Sequence, residues 1–216
     1  LLGHEGPTDI DIALDDMSGE EFANALNMWY KSTAKSPVKV GIIRCNPDKS
    51  KHLETATVNI GSFDIDFVNL RTETYTADSR IPIIEIGTPF EDAMRRDLTI
   101  NALFFNVNDE HVEDFTKRGL SDLENGIVNT PLAPLETLQD DPLRALRIVR
   151  FASRLGFAIQ PNVFHACGDP TVLTALSTKV SKERITTETE RCLAHGNGLT
   201  AVRLFYDCGL MSVIFG

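Results

Sequence analysis

Asp9-Ile10-Asp11-Ile12-Ala13-Leu14 alternates polar and apolar residues before running into Asp15-Asp16, and alternation of period two is the mark of a half-buried strand. Ser18-Gly19-Glu20-Glu21 follows with the form of a helix start, Ser18 as N-cap and Glu21 three residues later. An amphipathic helix is expected over residues 20–29. Further out, residues 38–44 and 53–60 read as extended, with the turn-forming Asn46-Pro47-Asp48-Lys49-Ser50 between them, so they should pair as a hairpin. Residues 63–70 alternate again. Phe90, Met94, Leu98 and Asn101 fall at helical spacing and predict one helix over residues 89–101, after which residues 103–107 return to strand character.

From Asp140 the pattern is helical alone, since Leu143, Leu146, Ile148, Val149, Phe151 and Leu155 repeat with helical period and Gly156 stops them. Further helices are expected near residues 162–167, 181–194 and 199–208. The fold class is therefore α+β: a head with a mixed or antiparallel sheet and helices over residues 1–130, then an all-helical neck over residues 131–216, parted near Pro131 and Pro134.

A chain of 216 residues, 42% of them hydrophobic, has enough apolar surface for one large domain or two modest ones. It contains no apolar run of the length a membrane span needs, so no membrane partner is expected. Cys45, Cys167, Cys192 and Cys208 are widely spaced, which argues against a zinc site or a disulfide framework and for a reducing, intracellular home. The five histidines show no metal-ligand spacing, and no serine or cysteine stands in a nucleophile context. A formal net charge of −10 weighs against nonspecific binding of nucleic acid by the chain as a whole. Arg144, Arg147, Arg150 and Arg154 nevertheless form a local basic stripe with no acid among them.

Three sets of residues carry chemistry. Side chains at i and i+2 of a strand leave on one face, so Asp9 and Asp11 can converge on a hard cation, and Asp64 and Asp66 can do likewise. Standing alone, an Asp-x-Asp is more often a solvated strand face. In Arg95-Arg96-Asp97-Leu98-Thr99-Ile100-Asn101, the helix predicted there would place Asp97 and Asn101 one turn apart, where a carboxylate can accept from ribose hydroxyls and arginine can fork onto phosphate. An isolated Arg-Arg-Asp is more commonly a salt-bridged helix start. Asp141 and Arg144, at i and i+3 of the second predicted helix, would present an acceptor and a donor side by side. Arg147 and Arg150 continue that face, and one of them could pair with an acid of the head.

In order along the chain, Asp9-x-Asp11, Arg95 to Asn101, Asp114-Phe115 with Gly119 and Asp122-Leu123, and Asp140-Asp141-Pro142-Leu143-Arg144 resemble the four head and neck motifs of class II tRNA nucleotidyltransferases. These enzymes share that architecture with bacterial-type poly(A) polymerases. Residues 51–57 and 64–80 look more like the eukaryotic, particularly fungal, members. The resemblance implies a nucleotidyltransferase head of polymerase-beta type. It also implies template-independent addition of CMP and AMP from CTP and ATP to the 3′ end of tRNA, assisted by two Mg2+ ions.

By that resemblance Asp9 and Asp11 hold the metal ions and Asp66 is the third carboxylate, helping to activate the primer hydroxyl. Periodicity does not choose between Asp64 and Asp66; the match of Asp66-x-x-x-Leu70-Arg71 does. Arg96, Asp97, Asn101, Asp141, Arg144, Arg147 and Arg150 would bind nucleotide, and the segment from Asp114 to Leu123 would act as a hinge. The family motif opens with glutamate where this chain has Asp140, and a Gly-Gly segment precedes the first motif, of which Leu1-Leu2-Gly3 is the visible tail. Activity is expected to need more chain than this. The alternatives are a poly(A) polymerase or a noncatalytic nucleotide- or RNA-binding module, and the resemblance leaves mitochondrion, nucleus and cytosol open.

Overall fold

The structure is a computed structural model that describes residues 9–33, 39–43, 55–60, 63–76, 79–194 and 197–216. It divides into two compact units, one of Leu1–Thr72 with Ile84–Thr88, the other of Glu73–Ile83 with Pro89–Gly216.

The first unit contains β1 (Asp9–Leu14), α1 (Gly19–Ser32), β2 (Lys39–Ile43), β3 (Thr55–Ile60) and β4 (Phe63–Asn69). Its sheet has the order β1-β4-β3-β2. β1 runs parallel to β4, whereas β2–β3 and β3–β4 are antiparallel. The sheet is thus mixed, and the hairpin expected from residues 38–60 forms; the turn at Asn46 to Ser50 lies outside the described residues.

α1 begins as the sequence predicts. The Ser18 hydroxyl accepts from the Glu21 amide at 3.2 Å, and the Glu21 carboxylate accepts from the Ser18 amide at 2.9 Å. Two of the amides that a helix N-terminus leaves unpaired are satisfied in this way. α1 packs closely on β4, because a Cβ at position 19 would collide with the carbonyl oxygen of Phe67. Behind that contact Phe22 meets Phe67, ring centroids 4.7 Å apart, over a small core of Leu14, Ala23, Ala56, Val58 and Phe67. Alternation puts Leu14, Ala56, Val58 and Phe67 on one face of the sheet and Asp11, Thr57, Asn59, Asp64 and Asp66 on the other.

β5 (Arg71–Thr76) and β6 (Ser79–Ile86) pair with each other. The second unit then contains α2 (Pro89–Met94), a 3-10 turn (Thr99–Asn101), β7 (Leu103–Asn106), β8 (His111–Asp114), α3 (Gly119–Asn125), β9 (Ile127–Val128), α4 (Pro134–Asp140) and α5 (Arg144–Leu155). After these come β10 (Ala158–Ile159), α6 (Pro161–Cys167), α7 (Pro170–Lys179), α8 (Lys182–Ala194), α9 (Gly198–Asp207) and α10 (Met211–Phe215). The core of this unit is larger, with Leu146, Ile148 and Val149 of α5 fully buried against residues such as Val163, Leu176, Cys192 and Phe205. α5 ends at Gly156, whose φ of 70° lies in the left-handed region that glycine enters without penalty. The fold class is α+β, and helices dominate after Pro134, interrupted by β10, which pairs in parallel with β9. Among the described helices none is long and apolar enough to cross a membrane.

Two predicted helices are broken. The helix expected over residues 89–101 stops at Met94, and Leu98 is extended at φ −130° and ψ 147°. The cause is local: the Asp97 carboxylate accepts from the Leu98 amide at 2.9 Å, offering the backbone a partner other than the helix. The helix expected from Asp140 is likewise two elements. Asp141 is the extended cap of α4, at φ −134° and ψ 99°, and α5 starts only at Arg144. Pro142 is the reason, since its ring disfavours helical geometry in the preceding residue.

Candidate active site

Within the first unit, the parallel register aligns Asp9 with Asp64 and Asp11 with Asp66. In-register neighbours on adjacent strands share a face, so Asp11 and Asp66 stand side by side on the polar face of the sheet. The next strand supports this row. Thr57, the register partner of Asp66, donates its hydroxyl to Asp66 Oδ1 at 2.6 Å, and Asn59, opposite Asp64, donates to Asp64 Oδ1 at 2.9 Å. Asp64 is more exposed than Asp66. Such oxygen donors suit a hard divalent cation. Among the described residues no group of three or more His, Cys, Asp or Glu side chains is gathered closely enough to hold a metal ion.

The second unit holds the remaining candidates. Asp97 and Asn101 are not on one helix, yet they meet: Asn101 Nδ2 donates to Asp97 Oδ1 at 3.1 Å, and Arg147 Nε donates to Asp97 Oδ2 at 2.7 Å. Burial alone would push the Asp97 carboxyl up, but Arg147 and Asn101 outweigh it and hold it below the usual carboxylate range. Burial likewise opposes the charge on Arg147, and Asp97, followed by Glu188 and Asp141, more than restores it. Arg147 thus pairs with Asp97, an acid of the predicted head. Arg150 is bound to Glu188 on α8, and its guanidinium lies 4.5 Å from the Phe151 ring centroid.

Asp141 and Arg144 do not share a helix face, a departure that follows from the break at Pro142. Asp141 Oδ1 accepts from the Leu143 amide at 3.2 Å, and its Oδ2 lies 3.4 Å from Arg184 Nη2. Arg144 is only 8% exposed, and its guanidinium donates to the carbonyls of Arg95 at 2.6 Å and Thr137 at 3.3 Å.

Two residues absent from the sequence reading organise this region. Asp92, 2% exposed, accepts from Nε and Nη2 of Arg96 at 3.0 and 2.8 Å and also binds Arg95. Arg96 is further fixed by the Asn101 carbonyl at 3.0 Å and by the Phe104 ring, 4.8 Å from its guanidinium carbon. The signal was present, because an acid three and four residues before an arginine pair is the helical spacing of an ion pair. Glu188, buried on α8, is the other, and it lies far from Arg150 in sequence.

Gly119 is needed for close approach rather than backbone freedom. A Cβ there would lie 2.6 Å from the Thr99 carbonyl oxygen and 2.8 Å from Leu103 Cδ2. Beside it the Asp114 carboxylate accepts from the Thr116 hydroxyl at 2.7 Å and the Leu120 amide at 3.1 Å, and these bonds outweigh burial and lower its pKa.

A mixed sheet bearing paired carboxylates, followed by a predominantly helical region, defines the nucleotidyltransferase head fold with its neck. The family model described as the Poly A polymerase head domain matches residues 1–129, and one described as "Probable RNA and SrmB-binding site of polymerase A" matches residues 156–215. The chain belongs to the Poly A polymerase head-domain family. It is 49% identical over its full length to the mitochondrial CCA tRNA nucleotidyltransferase of Saccharomyces cerevisiae, 40% of which it covers. To tRNA nucleotidyltransferase cca2 of Schizosaccharomyces pombe it is 44% identical, over 96% of this chain and 44% of the relative. Among solved structures it is similar to a tRNA nucleotidyltransferase complexed with a primer tRNA and an incoming ATP analogue. That likeness has a TM-score of 0.76 at 25% identity and covers 99% of this chain and 55% of the other. The chain therefore spans about two fifths of the length of the curated relatives it matches.

Proposed function

We propose that the protein adds CMP and AMP, taken from CTP and ATP, to the 3′ end of tRNA without a nucleic-acid template. The observation that carries this reading is the β1–β4 register, which aligns Asp9 with Asp64 and Asp11 with Asp66 on adjacent parallel strands. In this reading residues 1–130 form the catalytic head and residues 131–216 the nucleotide-selecting neck and the start of the body. Asp9 and Asp11 would hold two Mg2+ ions, which when bound stabilise the attacking and leaving oxygens of an in-line displacement at phosphorus. Asp66 would also draw the proton from the primer 3′-hydroxyl, and Thr57 keeps that carboxylate oriented through Oδ1.

Arg96, Asp97, Asn101, Asp141, Arg144, Arg147 and Arg150 form the proposed nucleotide-binding set. Cytosine and adenine both present an exocyclic amino donor beside a ring-nitrogen acceptor, and Asp141 and Arg144 offer the complement. For this pairing Arg144 must leave the carbonyls of Thr137 and Arg95 as the nucleotide enters. Uracil and guanine invert the pattern and would leave polar groups unpaired, at about 1–3 kcal/mol each. The relatives' mitochondrial assignment suggests the same compartment for this protein, which fractionation of cells would check.

The test is incorporation of CTP and ATP by the full-length protein into tRNA ending before its CCA, with the product sequenced. Addition of C, C and A supports the proposal. A second reading is kept because the Poly(A) polymerase I of Escherichia coli O157:H7 is 34% identical over 129 residues, 60% of this chain. A growing adenosine tail would select it, and absence of any metal-dependent incorporation would leave a noncatalytic nucleotide- or RNA-binding module.

A further inference from the structure

Three free cysteines are buried in the second unit, and they are not equivalent. Cys192 directs its thiol to the Leu146 carbonyl at 3.7 Å. Cys167 and Cys208 are directed to each other. Cys167 is the last residue of α6 and Cys208 the C-cap of α9, and they are 0% and 3% exposed. The two helix ends are pressed together, since a Cβ at Gly168 would lie 3.1 Å from the Cys208 carbonyl oxygen.

The two thiols share a side-chain hydrogen bond. That bond, with burial behind it, pushes the Cys167 thiol well up, and it pulls the Cys208 thiol down against the effect of burial. Cys167 is thus the donor, and Cys208 is the sulfur better able to carry the nucleophilic thiolate. A disulfide spans Cα separations of about 4.4–6.8 Å, so thiols already within hydrogen-bond reach need little movement to join.

We propose that Cys167 and Cys208 are a site of reversible disulfide modification, oxidised by a low-molecular-weight disulfide and tying the end of α6 to the turn between α9 and α10. Cys208 gives up its proton and its thiolate attacks one sulfur of the reagent, whose S–S bond breaks to release one thiolate. Cys167 then loses its proton and attacks Cys208 Sγ, displacing the second thiolate. Two protein thiols are oxidised to one disulfide, and the reagent leaves as two thiols carrying the two protons. Access is local. Cys208 is followed by Gly209, at φ 70°, and by the five-residue α10, a helix too short to be stable alone. Exchange waits on the opening of this segment and is slow at neutral pH. The bond closes a loop of about forty residues and should favour the folded state by about a hundredfold.

The proposal is independent of the nucleotidyl-transfer reading, and so is its test. Folded Cys45→Ser protein is equilibrated in glutathione buffers of rising oxidised fraction until its composition is constant, then acid-quenched, alkylated and mapped by mass spectrometry. The expected product is one linked peptide joining Cys167 to Cys208, with Cys192 alkylated, reversed by dithiothreitol. Oxidation should raise the thermal midpoint of the second unit. It should not do so in Cys167→Ser or Cys208→Ser, each made in the same background. A lasting glutathione adduct on Cys208 without the internal link overturns the proposal. So does a link through Cys192, a Cys167–Cys208 link that forms only in denaturant, or an oxidised protein with an unchanged or lower midpoint. If either serine variant fails to fold, the linked peptide and the reversible midpoint shift of the parent protein decide the matter.

Discussion

At Asp92 a carboxylate almost without solvent holds the guanidinium groups of Arg95 and Arg96. Burial would push its carboxyl up, and the two arginines overcome that and hold it below the usual range. Asp92→Ala removes the carboxylate that both guanidinium groups share, and breaking a buried ion pair in this way costs about 3–5 kcal/mol. Urea denaturation should show that loss in the second unit; a change within experimental scatter would mean the pairs are surface-like. At the candidate metal face the expectation is the reverse. Asp11 is exposed and carries little of the packing, so Asp11→Ala should abolish nucleotide incorporation while leaving the denaturation midpoint unchanged. Activity retained in that variant would remove Asp11 from the metal site. Both residue types were visible in the sequence, but only one was interpreted. The aspartates of the strand are legible because alternation alone sets their face, whereas Asp92 precedes an arginine pair whose charge suggested a ligand rather than an internal partner.

Elements were legible where local signals agreed and lost where a side chain or a distant segment overruled them. α1 is the clear success, since Ser18 and Glu21 form the box that their spacing predicts. Ser18→Ala should cost about 1 kcal/mol, read as a lower thermal midpoint of the first unit. An unshifted midpoint would show the cap to be redundant with the packing of Gly19 on Phe67. The helices expected over residues 89–101 and from Asp140 failed for identifiable reasons, Asp97 capturing the Leu98 amide and Pro142 excluding helix at Asp141. The second of these was written in the sequence and was overridden by apolar periodicity. β9 and β10 had no comparable signal, because each is two residues long and its partner lies some thirty residues away. The same holds for Arg150 and Glu188, which meet only because α5 packs on α8.

Among the described residues, the buried ion pairs gather in the second unit, where Asp92 and Asp97 both titrate below their ordinary range. An ordinary unfolded aspartate titrates near about 3.9, so a folded value below it contributes stability that is fully present above that pH and is lost as pH falls through the folded value. The helical unit should therefore loosen on the acid side of about pH 4 and not between pH 5 and 8. Its own cysteines report the event. Cys167, Cys192 and Cys208 are buried in that unit, and burial, followed by the nearby Glu188, pushes the Cys192 thiol up to about 12. A buried thiol of this kind is inert until the surrounding helices open. With Cys45 replaced by serine, labelling by a pyridyl disulfide, which reacts in acid, should remain slow from neutral pH downward and accelerate only below about pH 4. Asp97→Asn should weaken the dependence, because an amide carries no proton-linked term. Rapid labelling at neutral pH, or an acid onset identical in Asp97→Asn and Asp92→Asn to that of the parent protein, would show that these buried pairs do not govern the acid stability of the unit.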